Sequence, residues 1–331
     1  MSASVIGIDL GDTKVTVAPL RERELGRSLV QPTERSDAAT LIEQLAAMVE
    51  SARTDDVLGV GIGVPRIVEF ETGRIVSSWR PASPSANGAV DLPLTGIALR
   101  EVLGERLGAP VFVDNDAAVA ALAEAHDEEL EPVARHLVMF TVGTGVGGGL
   151  VLGGRIYRGA TGGAGELGHT IVGLDLAGAV PAPLRFPQPG SLEFVTAGHA
   201  LDRLAAQAGN VRSESALGRL RAEGKPVLGA DVVRAARDGD KAAARMVEIW
   251  GQRIGIGVAN AINTFDPQEV VIGGDAAPAG ELLLEPARRV ALGYVRPGLG
   301  THTTIRLARH DAHAGVLGAA LLARYELEPS T

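Results

Sequence analysis

Residues 140–169, FTVGTGVGGGLVLGGRIYRGATGGAGELGH, constrain this chain more than any other stretch: 12 of the 30 are glycine. An average composition supplies about two. Glycine at this density belongs where the backbone takes positive φ, or where another group comes so near that a Cβ would clash. Apolar residues flank it (Leu137 to Phe140, then Leu150 to Leu152) and read as two strands joined by a tight turn over 143–149. A hairpin tip of bare amides is an anion site, suited to phosphate. The bland alternative is a flexible linker, but linkers of this density are Gly/Ser-rich and lack flanking strands.

At 331 residues the chain exceeds the size at which one core stops growing, so two lobes and a cleft are expected. With 46% hydrophobic, 21% charged and 3% aromatic residues, its core is built of Ala, Val, Leu and Ile. The net charge is −9, with both signs mixed along the chain and no basic patch, which argues against a nucleic-acid partner. Cysteine is absent, which excludes disulfides, a thiol nucleophile and a cysteine zinc site. The start MSASVIGIDLG has no positive n-region, and no run of about 18 apolar residues lacks glycine or charge. A cytoplasmic protein without a membrane partner is the expectation.

Along the chain, 5–10 and 15–20 read as a hairpin with a polar tip at Gly11, Asp12 and Thr13, and a third strand is expected over 25–30. Helical spacing runs over 37–53 from a cap at Ser36 or Asp37. VLGVGIGVP, 57–65, reads as a strand buried on both faces, as in a parallel sheet. A loop carrying Trp79 follows, then a helix over 94–107, a strand over 110–113 and an Ala-rich helix over 114–126 with an acidic first turn. After His136 a hairpin with Gly and Thr at its tip opens an α/β segment again, which points to a duplication. Helices are expected over 192–208, 229–238, 241–264 and 313–325. Strands are expected at VVIGGD, 270–275, and over 304–307. The double glycine after the first of these suits a ligand at the carboxyl end of a strand.

Six segments in order, DLGDTK (9–14), DND (114–116), VGTGVGGG (142–149), GELGH (165–169), GSLE (190–193) and VVIGGD, closely resemble the ROK family of sugar kinases and sugar-responsive repressors. The resemblance covers nearly the whole chain. It implies a two-lobed, duplicated α/β fold of the actin/hexokinase (ribonuclease H-like) type, with ATP and sugar bound in an interlobe cleft. The expected lobes are 1–115, with a C-terminal helix over 313–331 packing back on it, and 116–312.

Moving a phosphoryl group to a hydroxyl needs a positioned acceptor, charge stabilisation and a base. The resemblance places the catalytic base at Asp116, the third residue of DND. A carboxylate at a helix start stays ionised and can take a hydroxyl proton, although capping is the commoner role for an Asp there. Asn115 is expected to bond sugar hydroxyls, with capping as a rival. By the same resemblance Gly11 and Thr13 form a first phosphate loop, Asp9 holds Mg²⁺ through water, and Lys14 reaches a phosphate or is an exposed hairpin charge. Thr144 and Gly145 form the second phosphate loop, and Gly273 and Gly274 the turn on which the nucleotide lies. Glu166, His169 and Glu193 match positions that bind sugar hydroxyls. Carboxylates accept two such bonds at once, and a site built to bond hydroxyls rejects analogues lacking them. For Glu193 the rival is a plain carboxylate in a helix first turn. His169 also matches a histidine that commonly joins three cysteines in a zinc site, and here there are none.

Other departures are Asp12 for a usual glycine, Arg66 for the glycine after Pro65, Ala118 for a frequent asparagine, and Asp275 for a third glycine, where it is placed to bond a ribose hydroxyl. The resulting expectation is a glucokinase-like, ATP-dependent kinase of a primary hydroxyl on a hexose or hexose-like compound, acting as a homo-oligomer. The rivals are a kinase of a carbocyclic C7-cyclitol and a non-catalytic sugar-sensing regulator. A polyphosphate donor is weakened by the VVIGGD turn.

Overall fold

The structure, a computed structural model, describes residues 4–53, 56–76, 92–173, 186–207 and 215–328. The loop around Trp79 and the middle of the segment between His169 and Glu193 lie outside these residues.

In chain order the elements begin with β1 (Ser4–Leu10), β2 (Lys14–Arg21), β3 (Glu24–Leu25), β4 (Leu29–Pro32), α1 (Ala38–Ala52) and β5 (Val57–Val64). They continue with β6 (Val68–Glu69), β7 (Arg74–Ile75), α2 (Leu99–Leu107), β8 (Val111–Asn115) and α3 (Asp116–Glu124). After β9 (Leu137–Val142), β10 (Val146–Leu152) and β11 (Arg155–Ile156) come α4 (Leu192–Thr196), α5 (Gly198–Gln207), α6 (Ala216–Ala222), α7 (Gly229–Arg237) and α8 (Lys241–Phe265). The last are β12 (Glu269–Gly273), α9 (Glu281–Tyr294), β13 (Thr304–Leu307) and α10 (Ala314–Leu327).

The chain divides into two compact units, residues 1–135, 149–165 and 312–331 in the first, and 136–148 and 166–311 in the second. In the first, β1 pairs antiparallel with β2 and parallel with β5, which pairs parallel with β8. The order β3-β2-β1-β5-β8 is matched by β11-β10-β9-β12-β13, where β12 runs parallel to both β9 and β13. The mixed α/β architecture is therefore one topology used twice.

Burial explains the composition of these strands. Ile6, Ile8, Val60 and Ile62 are wholly buried, as strands covered on both faces require. On one side lie Leu41, Leu45 and Met48 of α1 with Leu99 and Leu103 of α2. On the other side α10 packs against β1, β5 and α3. It does so at backbone contact: a Cβ on Gly61 would stand 1.8 Å from the Ala319 carbonyl oxygen, and one on Gly318 1.8 Å from that of Val119. The first unit runs past Asn115 because α3 is sandwiched into this layer and stays with it.

Four local expectations change. The strand over 25–30 is two short strands, because Gly26 donates its N–H back to the Pro19 carbonyl and the ladder restarts at Leu29. The helix over 94–107 begins at Leu99, since Gly96 takes φ +78° and ends any helical run before it. The helix over 192–208 breaks at Ala197, where the Gly198 N–H bonds the Gly143 carbonyl instead of continuing the helix. Asp114 and Asn115 belong to β8, so the acidic helix starts at Asp116. The spacing predicts neither α6 nor α9; Pro278 just before the second and Pro286 within it obscure its periodicity.

Candidate active site

In the first unit the hairpin tip between β1 and β2 is held by its neighbours. The Gly11 N–H bonds the Lys14 carbonyl at 2.9 Å, Thr33 Oγ1 donates to the Gly11 carbonyl, and Arg35 donates to the Asp12 carbonyl. Among the described residues the amides of Asp12 and Thr13 donate to nothing, which leaves them for an anion. Thr13 and Lys14 are exposed. Asp9, at the end of β1, packs its carboxylate on the first turn of α10, where a Cβ on Gly315 would lie 2.6 Å from Cγ. Burial pushes the Asp9 pKa up and the Lys14 charge pulls it down.

Asp116 opens α3 at the end of β8. The preceding residue is the cap: Asn115 Oδ1 accepts from the Ala117 and Ala118 N–H groups at 2.9 and 3.1 Å, and its Nδ2 donates to the Arg66 carbonyl at 3.3 Å. Capping by Asn115 leaves the Asp116 carboxylate less engaged, with one bond recorded, from the Ala117 N–H at 2.7 Å. Desolvation raises the Asp116 pKa to about 7, with the carboxylates of Asp9 and Asp12 adding to the rise and the Ala117 N–H and Arg66 opposing it. A group titrating there is matched to proton transfer near neutrality. Asp114, the first residue of DND, is engaged elsewhere. It is buried against Arg158, whose Nε lies 2.7 Å from Oδ2 and whose guanidinium stacks 3.5 Å over the Phe70 ring and pairs with Glu326. No motif marks Arg158, because only the fold brings it to Asp114.

In the second unit the tip between β9 and β10 is braced rather than charged. The Gly143 N–H bonds the Gly145 carbonyl, and the amides of Thr144 and Gly145 donate to nothing among the described residues. Glu193, in the first turn of α4, accepts the Val146 N–H through Oε2 at 2.9 Å. That same oxygen sits 2.9 Å from where a Cβ on Gly145 would be, so the glycine makes room for the carboxylate. The Gly198 N–H holds the Gly143 carbonyl at 2.7 Å from the other end of α4. Glu193 is thus more than a first-turn carboxylate: Oε2 fixes the 143–146 tip.

The 3-10 turn over Leu167–His169 presents Glu166 and His169 together, with Glu166 Oε2 3.5 Å from His169 Nε2. Gly168 is pressed onto the Val146 carbonyl, and the Leu192 N–H bonds the Thr170 carbonyl, so this turn, α4 and the 143–146 tip form one connected body. The His169 ring packs edge-on against Phe186, and its Nδ1 is enclosed without a hydrogen-bond partner. Gly273 ends β12, and Gly274 follows at φ +74°, where a Cβ would stand 2.8 Å from the Val142 carbonyl oxygen. Asp275 turns its carboxylate toward Gly143, 3.1 Å from the place of a Cβ there.

No group of three or more His, Cys, Asp or Glu side chains among the described residues is arranged to hold a metal ion. A zinc site does not fit this donor set. Mg²⁺ carried by a nucleotide fits it in one way, through water at Asp9. Asp12 and Arg66, two separate departures in sequence, face each other, with Asp12 Oδ1 3.7 Å from Arg66 Nη2.

The ROK family model matches residues 5–326. A glucokinase of Halalkalibacterium halodurans is 31% identical over 97% of this chain and 95% of its own. A xylose repressor of Caldicellulosiruptor bescii is 28% identical over 87% of this chain and 69% of its own. The crystal structure of a ROK family glucokinase from Streptomyces griseus with glucose and AMPPNP has a TM-score of 0.75 and 28% identity, covering 97% of this chain and 99% of that one. Together with the repeated topology and the ordered motifs, these matches make the chain a member of the ROK family.

Proposed function

We propose that the chain is an ATP-dependent kinase that phosphorylates a primary hydroxyl of a hexose or hexose-like compound, glucokinase-like in pattern. The observation that carries this reading is Asp116: a carboxylate at a helix start, freed from capping by Asn115 and poised near pH 7 by burial. The relatives that phosphorylate sugars support it. When bound, the Mg²⁺ complex of ATP supplies the γ-phosphoryl group.

Glu166, His169 and the free oxygen of Glu193 bind and orient the sugar hydroxyls. Asn115 contributes through what its capping bonds leave open. Asp116 accepts the proton of the attacking hydroxyl as its oxygen bonds the γ-phosphorus and the bond to the bridging oxygen of ADP breaks. The open amides of Asp12, Thr13, Thr144 and Gly145 stabilise phosphate charge, and Lys14 adds a cation. Gly273 and Gly274 would leave room for the nucleotide beside the backbone, and Asp9 would hold Mg²⁺ through water, the ion supplying charge stabilisation to the phosphates.

The test is ATP turnover on a panel of hexoses, N-acetylhexosamines and C7-cyclitols, with the product phosphate located by NMR. Transfer to a primary hydroxyl of a hexose is expected, and Asp116→Ala abolishes it. Equal activity in the variant would remove Asp116 from the mechanism, and turnover of cyclitols alone would redirect the substrate. Sugar binding by calorimetry with ADP release at background would instead favour a non-catalytic sensor. A homo-oligomer is part of this reading and is checked by light scattering.

A further inference from the structure

We infer that Arg66 is a positioning residue for this phosphoryl transfer: paired with Asp12, it draws that carboxylate away from phosphates at the 11–14 tip and ties the tip to the start of α3. The inference rests on the kinase reading and adds to it a residue that no sugar or nucleotide motif contains.

The argument starts from a conflict. The tip offers the open amides of Asp12 and Thr13 to an anion, yet its own side chain is a carboxylate that repels one. The conflict is resolved by where that carboxylate points. Asp12 Oδ1 is enclosed with no hydrogen-bond partner and lies 3.7 Å from Arg66 Nη2, a distance at which charge rather than a hydrogen bond holds the two.

Arg66 is itself well fixed. Its N–H bonds the Val64 carbonyl at 2.8 Å, its Nη1 donates to the Pro65 carbonyl at 2.6 Å, and its carbonyl accepts from the capping Asn115 at 3.3 Å. With the side chain 19% exposed, the guanidinium is partly withdrawn from screening by salt. Residue 66 thus touches the phosphate tip with its side chain and the cap of the catalytic helix with its backbone. The charge balance agrees: Asp9, Asp12 and Asp116 stand with Lys14, Arg35 and Arg66. Loss of Arg66 would leave three carboxylates against two cations where a polyanion must bind. The Arg66 charge also favours ionised Asp116.

A mutant cycle tests the pair, with affinity for Mg²⁺·AMPPNP read by calorimetry and turnover read on the panel sugar. Arg66→Gly is expected to weaken AMPPNP by about tenfold, the coupling typical of contacting charges. Asp12→Gly strengthens it slightly, and Asp12→Gly/Arg66→Gly recovers most of the loss. Arg66→Lys keeps a large part of the affinity. Arg66→Gln with Asp12→Asn repeats the cycle with side-chain volume preserved, should a glycine variant fail to fold.

Additive losses, or a double variant as weak as Arg66→Gly, would overturn the pairing, because a merely structural Arg66 is not rescued by removing Asp12. Wild-type protein that binds AMPPNP but phosphorylates no sugar sinks the kinase reading while the affinity cycle still decides the pair. Wild-type protein that binds no AMPPNP overturns both.

Discussion

The tip at 11–14 and the tip at 143–146 sit on the same strand topology and solve the same problem with different means. The first is held from outside its loop by Thr33 and Arg35, and carries charge at Asp12 and Lys14 with Arg66 in attendance. The second carries no charge of its own and is pinned by Glu193 and Gly198, with Asp275 directed at Gly143. In the proposed mechanism the proton transfer belongs to the charged side, where Asp116 stands. The braced side joins the phosphate loop to the turn that presents Glu166 and His169. A duplicated fold can thus keep one anion-binding tip in each copy while the proposed reaction and sugar-recognition groups fall to different copies.

The sharpest break of this division is Asp116→Asn, expected to lower kcat by about 10²–10⁴ while AMPPNP affinity is retained, as steady-state kinetics and calorimetry together would reveal. If binding falls as far as kcat, Asp116 serves nucleotide binding rather than proton transfer alone. Next in size is Glu193→Ala. It leaves the Val146 N–H without its acceptor and removes a sugar contact, so the KM values for sugar and ATP rise together, by about tenfold or more. A rise confined to sugar would separate recognition from the phosphate loop.

The pH profile comes third. With Asp116 near 7, kcat rises through that value to a plateau in the wild type. Because burial raises its pKa above the unfolded 3.8, Asp116 contributes stability that is complete below 3.8 and lost as pH climbs through about 7. Asp116→Asn is therefore expected to raise Tm by several degrees at pH 8 and by less at pH 5, measured by calorimetry. The smallest effect is assigned to Thr33→Val, which removes one brace of the first tip and raises the KM for ATP by about threefold, leaving the sugar KM alone.

Much of this was legible from residues. The hairpins, the buried strand at 57–64 and the long helix ending at Phe265 follow from period, turn residues and caps that act within a few positions. The break at Ala197 was not, because its cause is the Gly143 carbonyl, more than fifty residues away. The same is true of the site. Asp116, Glu166 and Glu193 announce themselves in short motifs, whereas Arg158 beneath Asp114 and Arg66 against Asp12 exist only through strand order. Even for Glu193 the motif conveyed half the story, since its bond to Val146 depends on how α4 meets the second tip.

The layering of α10 on β1 and β5 carries a consequence for biogenesis. Those strands are synthesised before α10, which seats against Gly61 and, through its own Gly318, against α3, and which follows β5 by about 250 residues. Until α10 emerges the nascent first unit keeps one sheet face without its native cover, so its maturation waits on that helix. Chaperone dependence of this chain should accordingly track the late arrival of a single helix.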